Sequence, residues 1–150
     1  MFAWPLTRRN FLSRLNVAQV EAAIERAEHG TSGEIRICVA GLFWGRSRAM
    51  GERAFRRLNM SATRNRNGVL IVIAPMRRQL VIVGDEGLHA RVGDAFWDAL
   101  GARTADQLRS GDFTHALLQA VKLVGFQLAE HFPSDAPEDQ NELPNAVVSV

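Results

Sequence analysis

The sequence predicts an α/β fold: a single-domain α/β/α sandwich with a small mixed sheet flanked by helices. Residues 69–74 and 80–83 are short, almost fully apolar runs that are typical of buried strands. A third strand-like run, residues 34–40, precedes them, and an amphipathic helical segment, residues 47–58, lies between. With 150 residues, of which 47% are hydrophobic, the chain is long enough for one core and too short for two ordinary domains.

The composition divides the chain into three parts. Residues 1–15 form an amino-terminal arm that mixes large apolar residues with three arginines, and we expect it to pack on the domain or to lie at an interface. Residues 16–132 form the α/β domain, and residues 133–150 form an acidic, proline-rich tail that we expect to be mobile. Cys38, the only cysteine, lies in a strand-like run and is predicted to be a buried, inert thiol.

The first half of the domain follows from local signals. Asn16 is predicted to cap a helix, because Gln19 follows three residues later as in a capping box and apolar residues then recur at helical spacing up to Gly30. The strand at 34–40, the helix at 47–58 and the next strand form a unit that predicts a parallel strand pair.

A hairpin is predicted next. Only four residues, Pro-Met-Arg-Arg at 75–78, separate the second strand from the third, which is too short for a crossover helix, so these strands are expected to pair antiparallel. The third strand ends at Gly84 and is followed by Asp85 and Glu86. We place these carboxylates at the carboxyl end of the sheet, where open α/β sheets bind ligands.

Helices are predicted after the hairpin. One helix has a predicted buried stripe formed by Leu88, Val92, Ala95 and Ala99. Trp97 is expected nearer its edge. Thr104, with Gln107 three residues later, is predicted to cap another helix, and Asp112 is predicted to cap a long final helix.

Charge is distributed unevenly along the chain. The formal net charge is +2, but residues 46–78 contain nine arginines and one acidic residue, Glu52. Residues 79–150 contain four basic and eleven acidic residues. One region can therefore attract an anion, and another can hold a cation.

Asp85 and Glu86 are candidate ligands of a divalent cation, Ca²⁺ or Mg²⁺, because hard cations take oxygen ligands and the flanking glycines let backbone carbonyls join them. Asp112 is a third candidate metal ligand, and Asn67 and His89 are expected to be peripheral to the site. The alternative is that the acidic turn only complements the dipole of the helix that follows it.

The candidate anion-binding residues are Arg53, Arg56, Arg77 and Arg78. Such a cluster can bind an anionic membrane surface or the phosphates of nucleic acid, but Phe55 is the only aromatic residue between 46 and 78, which argues against nucleic acid. The alternative is a solvated arginine-rich face.

Several signals that define common classes are absent from the sequence. It has no P-loop, GxGxxG, GxSxG or HExxH motif, and no apolar run near the ~18 residues of a membrane span. Residues 7–12 resemble a twin-arginine export signal, but polar residues follow at once. We therefore expect a cytoplasmic protein.

A set of short segments carries a family resemblance: TSGEIR at 31–36, RNGVLI at 66–71, VGDEGL at 83–88, GDF at 111–113, EHFP at 130–133 and ELPN at 142–145. In this order and spacing they resemble the TPM domain family, most closely its short bacterial branch without signal peptide or membrane anchor. The resemblance implies an α/β sandwich with a TPM-like domain at residues 16–132. The resemblance also implies a function, because some family members are reported to bind calcium-like cations and others to have acid phosphatase activity.

Two functions are therefore expected as alternatives. The first is weak, metal-assisted phosphoester hydrolysis, in which a cation at the acidic turn polarises phosphate and activates water while Arg77 or Arg78 stabilises phosphoryl charge. The second is a non-catalytic adaptor that binds a protein or an anionic membrane surface through the arginine-rich face or the amino-terminal arm. The sequence does not indicate the oligomeric state.

Overall fold

The computed structural model describes residues 7–134 and 147–149. The elements follow in the order α1 Arg8–Ser13, α2 Val17–Glu28, β1 Glu34–Val39, α3 Ser47–Arg57, β2 Gly68–Ala74, β3 Gln79–Gly84, α4 Glu86–Val92, α5 Asp94–Arg109, α6 Phe113–His131 and β4 Val147–Ser149. The strands form one mixed sheet in the order β3-β2-β1-β4. None of the described helices is long and apolar enough to cross a membrane.

The predicted parallel pair and hairpin are both confirmed. β1 and β2 pair in parallel, with Glu34 opposite Gly68, and β3 pairs antiparallel with β2, with Gly84 opposite Val69. A 3₁₀ turn at Pro75–Arg77 connects β2 to β3. The chain therefore reverses after β2, and this reversal decides which loops share an end of the sheet.

Both faces of the sheet are covered, as the predicted sandwich requires. Isoleucines and valines on one face form a core with apolar residues of α1, α2, α5 and α6. On the other face, Cys38, Leu70 and Val72 pack with Met50 and Phe55 of α3. Cys38 is fully buried as predicted, and burial raises the pKa of its thiol to about 11.

The described parts of the arm and the tail both contact the domain. In α1, Phe11 is fully buried and its ring stacks on Phe113, with the centroids 4.6 Å apart. At the other end of the chain, β4 pairs in parallel with β1, with Val147 opposite Ile37. This strand was not predicted, because the whole tail was expected to be mobile. The part of the tail at 135–146 lies outside the described residues.

The chain after β3 forms two helices where one was predicted. Gly93 has a φ of 84°, a conformation that favours glycine, and it separates α4 from α5. The break changes which face of α5 is buried: Trp97 is 2% exposed, whereas Ala95 and Ala99 are exposed. The predicted stripe through these alanines and the edge position of Trp97 are therefore wrong.

Two of the three predicted helix caps are confirmed. Asn16 and Asp112 cap α2 and α6, each accepting a backbone N–H from the residue three positions later, at 3.1 and 3.0 Å. Thr104 is not a cap, because it lies inside α5 and its hydroxyl donates to the Leu100 carbonyl at 2.8 Å. A buried threonine can satisfy its hydroxyl within its own helix in this way.

Glu28, the last residue of α2, fixes the start of β1. Its Oε2 accepts a hydrogen bond from the Ile35 backbone N–H at 2.7 Å. Burial raises the pKa of the Glu28 carboxyl from its ordinary value of 4.5 to about 7. The folded state therefore binds this proton more tightly than the unfolded chain, so the free energy of unfolding falls as pH rises from about 4.5 to 7.

The Glu28→Gln substitution keeps an oxygen that can accept from Ile35 but removes the titration. We expect the stability of the variant relative to wild type to rise by about 2 kcal/mol between pH 5 and pH 7.5, measured by urea denaturation. Glu52→Gln, an exposed residue of α3, is the control and should leave the pH dependence unchanged. Parallel stability curves for wild type and Glu28→Gln would contradict this role of Glu28.

Candidate functional site

The acidic turn joins β3 to α4: Asp85 follows β3, and Glu86 is the first residue of α4. Because β3 runs antiparallel to β2, Gly84 lies opposite Val69, next to the start of β2. The turn is therefore at the amino-terminal end of the parallel strands, and its predicted position at the carboxyl end of the sheet is wrong. The rule on ligand position concerns parallel strands, and the hairpin reverses the chain before the carboxylates are reached.

The Asp85 carboxylate is buried, with 5% exposure, and both of its oxygens have protein partners. Arg66 donates from Nε to Oδ2 at 3.0 Å and from Nη2 to Oδ1 at 3.2 Å, and the Glu86 backbone N–H donates to Oδ1 at 2.8 Å. We call Arg66 and Asp85 the clamp. The hydrogen bond to Asp85 raises the pKa of the Arg66 guanidinium, as a bidentate ion pair requires.

The backbone of Arg66 belongs to the same contact. Its φ is 49°, and its carbonyl accepts from the Gly87 N–H at 2.9 Å. A Cβ at Gly87 would lie 2.3 Å from the Asn65 carbonyl oxygen, so only glycine lets α4 begin this close to the loop before β2. Arg66 was not predicted as a site residue. Its place directly before Asn67-Gly68, at the head of a strand, was the available signal.

Asn67 is fully buried next to the clamp in the chain. Its Nδ2 donates to the Ser32 Oγ at 3.1 Å, and the Asn65 Nδ2 donates to the same oxygen at 3.0 Å. The Asn67 Oδ1 has no hydrogen-bond partner among the described residues. A buried polar atom without a partner is uncommon, and two lie near the acidic turn in the described part of the chain: the Asn67 Oδ1 and the Trp97 Nε1, which borders a cleft at Gly84.

Glu86 and His89 line one open cleft beside β3. The Glu86 side chain is 73% exposed, and its Oε1 lies 3.3 Å from the Arg66 Nη1. His89 pairs instead with Asp94, with 3.2 Å between Nδ1 and Oδ1, and the same carboxylate pairs with Arg48 at 3.1 Å. The imidazole therefore contacts Asp94 rather than the clamp.

Asp112 lies far from the acidic turn. Asp112 caps the first turn of α6. The opposite end of this helix lies near the site, because the Leu128 carbonyl accepts from the Thr31 hydroxyl at 3.1 Å, and Thr31 precedes Ser32. Because α6 has 19 residues, its ends are about 28 Å apart. The structure does not bring Asp112 together with the acidic turn. In residues 7–134 and 147–149, no group of three or more His, Cys, Asp or Glu side chains is placed to hold a metal ion.

A basic groove of about 590 Å³ lies at the opposite end of the sheet, where β1 ends. Its apolar floor includes Ala40 and Met50. Four arginines line it: Arg8, Arg53, Arg56 and Arg57. Among the described residues, no carboxylate lines this groove. Two of the predicted anion-binding residues, Arg53 and Arg56, therefore share it with two arginines that were not predicted.

Arg77 and Arg78 lie at this same end. The Arg77 guanidinium stacks over the Phe43 ring, 4.4 Å from its centroid, and Nη1 donates to the Gly45 carbonyl at 2.5 Å. Arg78 is exposed at the start of β3. The six residues of β3 place both arginines about 20 Å from Asp85, so their predicted role in stabilising phosphoryl charge at the acidic turn is wrong.

The clamp predicts a larger stability loss than a helix cap alone. Asp85→Ala removes the cap of α4 and leaves Arg66 without its bidentate partner, so we expect a loss of about 2–3 kcal/mol in urea denaturation. Asp112→Ala is the control, because it removes an aspartate cap that is exposed and makes no ion pair among the described residues, and it should cost about 1 kcal/mol. Equal losses in the two variants would mean that the ion pair adds nothing to the cap.

Solved structures of other proteins share the fold. The BA42 protein from the psychrophilic bacterium Bizionia argentinensis, determined by NMR, is 32% identical, with a TM-score of 0.79 over 91% of this chain and 95% of that chain. The N-terminal domain of the cg2496 protein from Corynebacterium glutamicum is 20% identical, with a TM-score of 0.57 over 75% of this chain and 70% of that chain. This second likeness concerns the fold alone.

The family comparison covers most of the chain. No curated protein matches this sequence significantly. The model of the TPM domain matches residues 7–126, a range that contains both the clamp and the basic groove. Together with the structural likeness to BA42 at 32% identity, this match establishes that the chain belongs to the TPM domain family.

Proposed function

We propose that this TPM domain is a non-catalytic binding module that takes a phosphate-bearing ligand in the basic groove. The observation that carries the proposal is the convergence of Arg8, Arg53, Arg56 and Arg57 on one cavity with an apolar floor. Guanidinium groups bind phosphate oxygens through two parallel N–H···O bonds, which makes arginine the side chain suited to this ligand.

The charges of the groove support anion binding. Arg53, Arg56 and Arg57 are exposed on α3, and no ion pair within the described residues engages them. Within residues 7–134 and 147–149, an anion that binds these arginines therefore displaces no ion-pair partner. Cations that converge without an intervening carboxylate raise the local positive potential, and a bound phosphate lowers it.

The position of the groove supports the same proposal. The Ala40 N–H still donates to the Ile73 carbonyl at 2.8 Å, and the chain leaves the sheet immediately afterwards. The groove therefore opens at the carboxyl end of the parallel pair β1 and β2. This is the end at which open α/β sheets bind ligands.

Inorganic pyrophosphate is the probe for this proposal. It should bind wild type in isothermal titration calorimetry and raise the melting temperature, because it binds the folded state. Arg56→Glu should weaken binding about tenfold, since it removes a charge-assisted contact. Arg103→Glu, an exposed arginine of α5, makes the same charge change outside the groove and should have little effect. Equal weakening by both variants, or no binding by wild type, would contradict a site in the groove.

A divalent-cation site at the acidic turn, supporting weak phosphoester hydrolysis, is a second proposal. The unused Oδ1 of Asn67 and the exposed Glu86 carboxylate favour it, because Ca²⁺ and Mg²⁺ take oxygen ligands. The name of the matching family model also refers to phosphatases. A cation bound there would compete with Arg66 for Asp85. Arg66 is also the arginine that would contact a phosphoryl group held by that cation.

Cation titration with thermal unfolding tests the second proposal. Calcium or magnesium should raise the melting temperature of wild type with increasing concentration. Glu86→Ala should lose most of this shift, while Glu52→Ala, an exposed glutamate of α3, should keep it. Glu86 is preferred to Asp85 because its removal leaves the clamp intact. The absence of a shift in wild type would refute the cation site, and equal phosphomonoester hydrolysis by wild type and Glu86→Ala would assign the activity to a contaminant.

A further inference from the structure

We infer that the end of the molecule carrying the basic groove docks on an anionic phospholipid bilayer, where Trp44 and Leu42 enter the interface and the groove arginines bind lipid phosphates. The inference rests on the proposed phosphate binding and names the source of the phosphate.

The exposed apolar side chains are concentrated at this end. Among the described residues, four large apolar side chains are exposed: Leu42, Trp44, Met76 and Phe126. The first three follow β1 or β2, which are parallel neighbours, so their loops leave the sheet at the same end. Trp44 is 85% exposed. Single exposed apolar residues are ordinary, but a group of them on adjoining loops marks an interaction surface.

The two loops are joined to each other. Arg77, in the loop after β2, donates to the Gly45 carbonyl and stacks on Phe43, both in the loop after β1. Phe43 also lines the basic groove. The apolar residues and the groove arginines therefore form one continuous surface, which we call the docking face.

The chemistry of the docking face matches the layers of a bilayer. The lipid phosphates lie at the outer level of the bilayer. Each arginine near an anionic surface increases the partition coefficient of the protein about fivefold. Tryptophan is enriched at the level just beneath, because its ring is apolar and its N–H is polar. An acidic protein would neutralise the arginines but would not require an exposed Trp44 and Leu42 beside them, so the bilayer is the favoured occupant.

Vesicle sedimentation tests the inference. Trp4 is replaced by phenylalanine, so that Trp44 and Trp97 are the remaining tryptophans. This parent protein should sediment with vesicles of phosphatidylcholine and phosphatidylglycerol, but not with vesicles of phosphatidylcholine alone. Trp97 is 2% exposed, so a blue shift of tryptophan emission on binding reports Trp44. Trp44→Ala should lower the partition coefficient about tenfold, and Arg53→Glu/Arg56→Glu at least as much. Phe126→Ala and Arg103→Glu/Arg109→Glu, the second with the same charge change as the double variant but outside the groove, are the matched controls and should bind like the parent.

Each other outcome has a defined meaning. Pyrophosphate binding without vesicle binding would overturn the bilayer inference and leave the proposed function intact, whereas loss of both would refute both. Sedimentation that depends on the arginines but not on Trp44, without an emission shift, would overturn insertion. A dimer in sedimentation equilibrium that Trp44→Ala dissociates would identify the docking face as a contact between two copies of the chain.

Discussion

The parallel pairing of β1 with β2 is the constraint on which the rest of the structure depends. Every residue of both strands is buried, so the pair must be covered on both faces, by the larger group of helices on one side and by α3 on the other. Parallel strands also have distinct ends. The loops that precede β1 and β2 meet at one end, the loops that follow them meet at the other, and the hairpin returns the chain from the second end to the first.

The two ends have acquired different chemistry. At the first end, Asp85 is bound by Arg66, and α4 starts against the loop before β2 only because position 87 is glycine. The charged side chains of this end are largely engaged in structural ion pairs, whereas two neutral buried atoms, the Asn67 Oδ1 and the Trp97 Nε1, have no hydrogen-bond partner among the described residues. At the second end, three exposed arginines of α3, Arg53, Arg56 and Arg57, are without an ion pair in the described part of the chain. The difference in internal pairing, rather than the number of charges, is why ligand binding is proposed mainly at the second end.

Local signals predicted the fold well, and contacts between distant segments limited the prediction of the site. The caps at Asn16 and Asp112, and the strands of the hairpin, depend on neighbouring residues, so the sequence reveals them. A lone glycine in a helical pattern does not reveal that Gly93 takes a positive φ and changes the buried face. The register of the strands decides which of the nine arginines at 46–78 meets Asp85, and the sequence does not show that register. Val147–Ser149 is too short to be recognised as a strand.

The pairing of β4 has a consequence for local stability. Val147 lies opposite Ile37, so three residues of pairing close a loop of 110 positions, the most non-local contact in the sheet. That loop is already held by α6, which packs on the sheet whether or not β4 is paired. The pairing therefore contributes only its own short ladder, whose three residues are partly exposed or exposed. β4 can therefore detach while the ladder formed by β1, β2 and β3 stays intact. The outer edge of β1, beside the groove, is the part of the sheet whose amide protons exchange with solvent through such local opening rather than through global unfolding.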